Sequence, residues 1–274
     1  MIFSKERPFV LVGAGKMGGA MLAGWMAEGL DPSAIVVSDP HLSEDMAGLL
    51  ARHGIRHVAQ PDENLKPSLL LLAVKPQMMD AVLPSLTGLV EEDTLVLSVA
   101  AGSPLSKITA AFGDVPAARA MPNTPAMVGR GITAVYANSR VTKLQRDTVD
   151  RLLSAVGKVV WLENEDQIDF VTGVSGSGPA YVFWMAECLA AAGVDAGLPP
   201  ETAQELAIAT VTGAGELMHQ SPDHPSVLRK NVTSPNGTTA AALEVLMADN
   251  GLKPLMSHAV SAAVRRAREL ARDA

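Results

Sequence analysis

FVLVGAGKMGGAM, residues 9–21, runs four apolar residues into Gly13, Gly15 and Gly18 and continues with small and apolar residues that suit a helix. In this spacing Gly13 makes a tight turn, Gly15 lets a phosphate approach the backbone, and Gly18 lets the helix pack closely on the strand. The helix N-terminus then faces the bound anion. Such glycine triplets occur in many turns, and it is the strand before and the helix after that give this one its meaning. Ala14, Lys16 and Met17 complete the turn.

Working outward, short runs rich in Val, Leu and Ile recur at 34–39, 68–74, 94–99, 116–120, 131–136 and 157–162, with a weaker one at 55–58. Helical patterns lie between them, most clearly at 16–29, 43–53 and 142–155. Alternation of this kind predicts strand-helix-strand units wound right-handedly around a parallel sheet. Beyond about residue 165 the β-branched clusters thin out, and Ala-rich segments at 177–193, 200–219, 238–249 and 252–272 predict helices. The expected organisation is therefore a Rossmann-like, doubly wound α/β domain over residues 1–164 and an all-α domain over 165–274.

The second strand ends at Asp39, roughly 20 residues beyond the glycine turn, where an acidic side chain accepts hydrogen bonds from an adenosine ribose. A carboxylate there repels a 2′-phosphate, and no Arg or Lys lies between Ala34 and Leu50 to offset it. The residues thus lean toward NAD(H) over NADP(H). The alternative is that Asp39 caps the turn before Pro40. AVKPQ (73–77) and SVAAG (98–102) close two further strands, at the ends where doubly wound sheets bind ligands. Lys75 reads as a phosphate contact, a catalytic acid or a solvated loop residue. In AMPNTPA (120–126) two prolines stiffen a loop from which Asn123 could face a nicotinamide.

Composition narrows the function. The chain has 274 residues, 48% of them apolar, with a formal net charge of −7 and no basic run. A folded protein of two domains is expected, and nucleic acid is not an expected partner. The single cysteine, Cys188, permits no disulfide within the chain and reads as an inert core residue. The opening residues lack a secretory pattern and the longest apolar run, LLLLAV (69–74), is too short to span a bilayer, so a cytoplasmic protein with no membrane partner is expected. AYVFWMAECLAAAGV (180–194) carries one charge, Glu187, and is apolar nearly all round. A helix of that kind must be covered on every side, which predicts a homo-oligomer.

Four stretches then converge: GAGKMG (13–18), AVKP (73–76) with MPNTPA (121–126), GVSGSGPAYV (173–182), and NVTSPNGTT (231–239). Together they closely resemble pyrroline-5-carboxylate reductase, the last enzyme of proline biosynthesis, over essentially the whole chain. The resemblance implies a Rossmann-like domain followed by an all-helical dimerisation domain that interlocks in a homodimer, often assembled into a ring of dimers. It implies an enzyme that reduces 1-pyrroline-5-carboxylate to L-proline with NADP(H) or NAD(H), and no metal. Cofactor contacts are implied for Gly13 to Gly18, Asp39, Ala73, Val74, Lys75, Pro76, Ala100, Ala101 and Gly102. Loop 234–239 resembles the family's substrate loop. Thr239 matches the Thr that hydrogen-bonds the substrate ring nitrogen, Ser234, Gly237 and Thr238 lie beside it, and Glu165 and Asn231 fall at the edge of the site.

Many family members carry a neutral residue where Asp39 stands, and Asn236 replaces a frequent Gly, a change Asn tolerates because it accepts left-handed backbone angles. A loop with free backbone amides at a helix N-terminus, plus the hydroxyls of Ser234 and Thr239, forms a concavity for a carboxylate. Ser177 reads both as a helix cap and as part of the site. None of the six histidines falls within the four motifs, and His224 is the hardest to set aside as a proton donor. Other readings are an imine reductase, a β-hydroxyacid dehydrogenase, which normally needs a Lys that segment 173–220 lacks, and a nucleotide sensor without chemistry.

Overall fold

The computed structural model describes residues 1–62 and 64–272. By their contacts these form two compact units, one of residues up to Gly176 together with the chain from Val264 onward, the other Ser177–Ala263.

The first unit is built on one eight-stranded sheet. Its strands are β1 (Phe9–Val12), β2 (Ile35–Ser38), β3 (Arg56–Val58), β4 (Leu69–Leu72), β5 (Leu95–Ser98), β6 (Ala117–Met121), β7 (Gly131–Ala137) and β8 (Gly157–Trp161). They lie in the order β3-β2-β1-β4-β5-β6-β7-β8. The chain starts near the middle and winds first to one edge, then to the other, so the topological switch falls between β1 and β4. Helices α1 (Lys16–Ala27), α2 (Glu44–His53), α3 (Met79–Leu86), α4 (Leu105–Phe112) and α5 (Lys143–Ser154) connect the strands. One pairing departs from a purely parallel sheet, because β7 runs antiparallel to β6. The residues between them, 122–130, are too few for the crossover helix that a parallel return needs.

Alternation along β1, β4 and β5 explains why these central strands read as unbroken apolar runs. Phe9 and Leu11, Leu69 and Leu71, Leu95 and Leu97 join one buried cluster. Val10 and Val12, Leu70 and Leu72, and Val96 join a second on the opposite face. Both faces are thus covered, and each fully buried Leu contributes about 1.5–3 kcal/mol. Trp25 on α1 is the largest buried side chain, and its indole N–H donates to the Leu152 carbonyl on α5 at 2.7 Å. Helix α5 starts with a reciprocal cap between Thr142 and Gln145. After β8, a short helix α6 (Gln167–Val171) passes directly into a wider π-helical turn, Thr172–Gly176, which takes in the first four residues of the GVSGSG stretch.

The second unit holds α7 (Gly178–Asp195), α8 (Pro200–Gln220), α9 (Pro225–Asn231), α10 (Thr238–Leu246) and most of α11 (Leu252–Arg272). Helices α7 and α8 pack closely where Gly193 faces Ala203, a side chain at Gly193 having only 3.2 Å to the Ala203 methyl. Ala203 and Ala207 are its only buried apolar side chains among the described residues. Phe183 and Trp184 on α7 are each more than 60% exposed, and Cys188, expected in a core, is exposed as well. Helix α8 covers one face of α7, and much of the apolar surface anticipated above, Phe183 and Trp184 included, finds no cover within the unit. Among the described residues no helix is long and apolar enough to cross a membrane.

Candidate functional site

The glycine turn leaves β1 with Gly13 at φ +90°, its N–H donating to the Ser38 carbonyl at 2.8 Å. A side chain on Gly13 would come within 2.8 Å of the Ala73 carbonyl oxygen and 3.1 Å of Val74. One on Gly18 would strike the Gly13 carbonyl and press on the Ala73 methyl. Turn and Ala73–Val74 are therefore in direct contact, and only hydrogen fits between them. Gly15 is exposed, and a side chain there would meet nothing. That open face over α1's first amides is the approach a pyrophosphate requires, so the turn fits a dinucleotide. Lys16 is exposed and Met17 half-buried beside it.

Asp39 closes the same turn from β2. One carboxylate oxygen accepts from the Ala14 N–H at 2.7 Å, the other from the His41 N–H at 2.8 Å. The side chain thus caps the turn before Pro40 and puts a negative charge at the outer end of the glycine turn. Reading residues 34–50 alone missed what β3 brings alongside. Arg56 and His57 pair in register with Val36 and Val37, and the His57 ring Nε2 sits 2.8 Å from the Asp39 carbonyl oxygen. Strand order, which local sequence does not carry, decides that neighbourhood.

Ala73, Val74, Lys75 and Pro76 leave the end of β4, and Lys75 is exposed at the start of a short 3₁₀ turn. Ala100, Ala101 and Gly102 leave the end of β5, Gly102 at φ +70°. Asn123 is buried after β6, with both ends of its amide engaged: Nδ2 donates to the Ser175 carbonyl at 3.1 Å and Oδ1 accepts from the Ile132 N–H at 2.9 Å. It ties the Pro-rich loop to the π-helical turn. Glu165 is likewise engaged, one oxygen accepting from the Leu105 N–H at 2.8 Å and from the Arg119 guanidinium at 3.1 Å. Arg119 is a buried charge that the sequence reading passed over, although an Arg inside AARAM is itself a signal that a partner lies opposite. All these residues lie in the first unit, most of them at the carboxyl ends of β1, β2, β4, β5 and β6.

In the second unit, Asn231, Ser234, Gly237, Thr238 and Thr239 gather on the connection between α9 and α10. Asn236 adopts φ 59°, the one left-handed residue other than Gly among those described. Gly237 is the N-cap of α10 and offers no side chain to its first amides. Those amides have no side-chain cap, and the hydroxyls of Ser234, Thr238 and Thr239 belong to the same connection, a set of donors that suits a carboxylate. His224 is occupied as the cap of α9, its ring Nδ1 accepting from the Ser226 N–H at 3.2 Å.

Residues 165–270 match the family described as "Pyrroline-5-carboxylate reductase dimerisation", and residues 8–102 match "NADP oxidoreductase coenzyme F420-dependent". The chain is 45% identical to the pyrroline-5-carboxylate reductase of Synechocystis sp., over 95% of this chain and 97% of that protein. The solved structure of a pyrroline-5-carboxylate reductase from Coxiella burnetii superposes with a TM-score of 0.89 at 36% identity, covering 97% of this chain and 98% of that one. The Plasmodium falciparum pyrroline carboxylate reductase, solved with NADP bound, gives 0.80 at 25% identity, covering 97% and 99%. With a dinucleotide turn in one unit, an open helix N-terminus in the other and relatives matched from end to end, the chain belongs to the pyrroline-5-carboxylate reductase family.

Proposed function

We propose that this chain reduces 1-pyrroline-5-carboxylate to L-proline with NAD(P)H in the cytoplasm, as the final step of proline biosynthesis. The observation that carries the reading furthest is the uncapped N-terminus of α10 behind the left-handed Asn236. Gly237 gives the first amides of α10 no side-chain acceptor, so they are left for an anion to meet.

Gly13–Gly18, Asp39, Ala73–Pro76 and Ala100–Gly102 hold the dinucleotide, which when bound supplies a hydride from C4 of its reduced nicotinamide. The open amides at Thr238 and Thr239, with the Ser234 hydroxyl, grip the substrate carboxylate, and Asn231 lies at the rim. Charge-assisted bonds of this kind are worth about 1.5–3 kcal/mol each. The Thr239 hydroxyl accepts from the N–H of the protonated imine and so fixes C5 for attack; the nitrogen keeps that proton in the product, and no histidine is required. Residues 165–274 supply the dimer, further assembled as a ring of dimers.

The test is oxidation of NADH and NADPH on adding pyrroline-5-carboxylate, followed by absorbance. Thr239→Ala should lower kcat/KM about tenfold or more, as one oriented charge-assisted bond is lost. An unchanged kcat/KM removes Thr239 from the mechanism, and no turnover of either cofactor by the parent protein removes the function.

A further inference from the structure

The loop that leaves β5 has few ties of its own. Gly102 takes a left-handed angle, and the Ser103 hydroxyl is fully buried without a partner among the described residues. Pro104, the N-cap of α4, offers no side chain to the helix. The first amide of α4 is met instead from sixty positions away, by the Glu165 carboxylate on the Leu105 N–H at 2.8 Å. An acid at that position suits the positive end of a helix. The same oxygen accepts from Arg119, 3.1 Å away, and Arg119 is 4% exposed and aligned with Ser98 across β5 and β6. A rigid strand thus holds a guanidinium, the guanidinium holds a carboxylate, and the carboxylate holds the start of the helix that ends loop 100–104. Glu165 already places one carboxylate oxygen on two donors, the Leu105 N–H and the Arg119 guanidinium, and both belong to the framework of the loop.

We propose that Arg119 and Glu165 are positioning residues that set loop 100–104 for the dinucleotide, Glu165 acting on cofactor binding through that loop and not by contact with the substrate. The proposal rests on the reading that Ala100–Gly102 meets the cofactor.

The experiment measures NADH affinity by nicotinamide fluorescence, and KM for pyrroline-5-carboxylate at saturating NADH, in the full chain. Glu165→Gln and Arg119→Met should each weaken NADH binding about five- to tenfold, the effect of one hydrogen bond, while KM for pyrroline-5-carboxylate stays within about twofold. Arg119→Lys, which keeps the buried cation, should recover most of the affinity. Should Arg119→Met fail to fold, Glu165→Asp, one methylene too short to reach Leu105, is expected to show the same split. A raised KM for pyrroline-5-carboxylate with unchanged NADH affinity overturns the proposal. So does a fall in kcat alone, which is what a general loss of structure gives. Gly102→Val separates the two levels: if it leaves NADH binding intact, loop 100–104 is not a cofactor loop and both readings fall. If it weakens binding while the Arg119 and Glu165 variants do not, only the positioning proposal falls.

Discussion

Replacing Asp39 by Ser should move the preference from NADH toward NADPH, and its size can be worked from the turn. The Asp39 carboxylate lies 2.7 Å from the Ala14 N–H, at the outer end of the phosphate loop. A 2′-phosphate on the ribose bound there would lie at about 5 Å, and two unit charges at that distance repel by about 3 kcal/mol at an effective dielectric constant of 20 and about 0.8 kcal/mol in bulk water. Asp39 is half-buried, so about 1–3 kcal/mol applies, a change of about 5- to 150-fold in the ratio of kcat/KM for NADPH over NADH. The substitution also removes at least one of the two bonds to Ala14 and His41, so kcat/KM for NADH should fall as the turn loosens. Asp39→Asn separates the effects, because it removes the charge and keeps an acceptor. The assay is steady-state oxidation of each cofactor at fixed pyrroline-5-carboxylate and low salt. A parent protein that strongly favours NADPH, or a ratio that both variants leave within about twofold, refutes the electrostatic reasoning.

Gly13→Ala places a methyl 2.8 Å from the Ala73 carbonyl oxygen at φ +90°, and cofactor affinity by fluorescence titration should drop about tenfold or more. Trp25→Phe leaves the buried Leu152 carbonyl without its donor and opens a small void, and should cost about 1–3 kcal/mol in denaturant unfolding. The Arg7 guanidinium bonds the Asp93 carboxylate and holds its pKa below the usual range. That stabilisation is therefore full above about pH 5 and lost as pH falls through the lowered folded-state value. Since both groups are substantially exposed, Asp93→Asn should cost no more than about 0.5 kcal/mol at neutral pH, and the difference from the parent protein should vanish in acid.

The fold was legible because its central strands β1, β2, β4 and β5 are buried along their whole length, so that each appears as a dense apolar run. The run LLLL at 69–72 is an example, with alternate residues entering opposite clusters. The long C-terminal helices were legible from their Ala content and the thinning of β-branched clusters, even though Gly193, Gly213, Gly215 and Pro254 fall inside them. What stayed hidden depended on distant pairing. The reversal of β7 follows from a short connection, and the meetings of His57 with Asp39 and of Glu165 with Arg119 follow from strand order. Local spacing marked Asn123 as a loop residue, but its amide is drawn inward to Ser175 and Ile132. Prolines and asparagines advertise a special backbone; they do not say which atoms will be free.

The scarcity of buried side chains in residues 177–263 bears on how the protein withstands heat and dilution. A helical half that is completed only by another copy gains its cohesion through mass action, so each tenfold dilution should remove about 1.4 kcal/mol per mole of dimer. The melting temperature should then climb with enzyme concentration, and very dilute stocks should lose activity on standing while concentrated ones keep it.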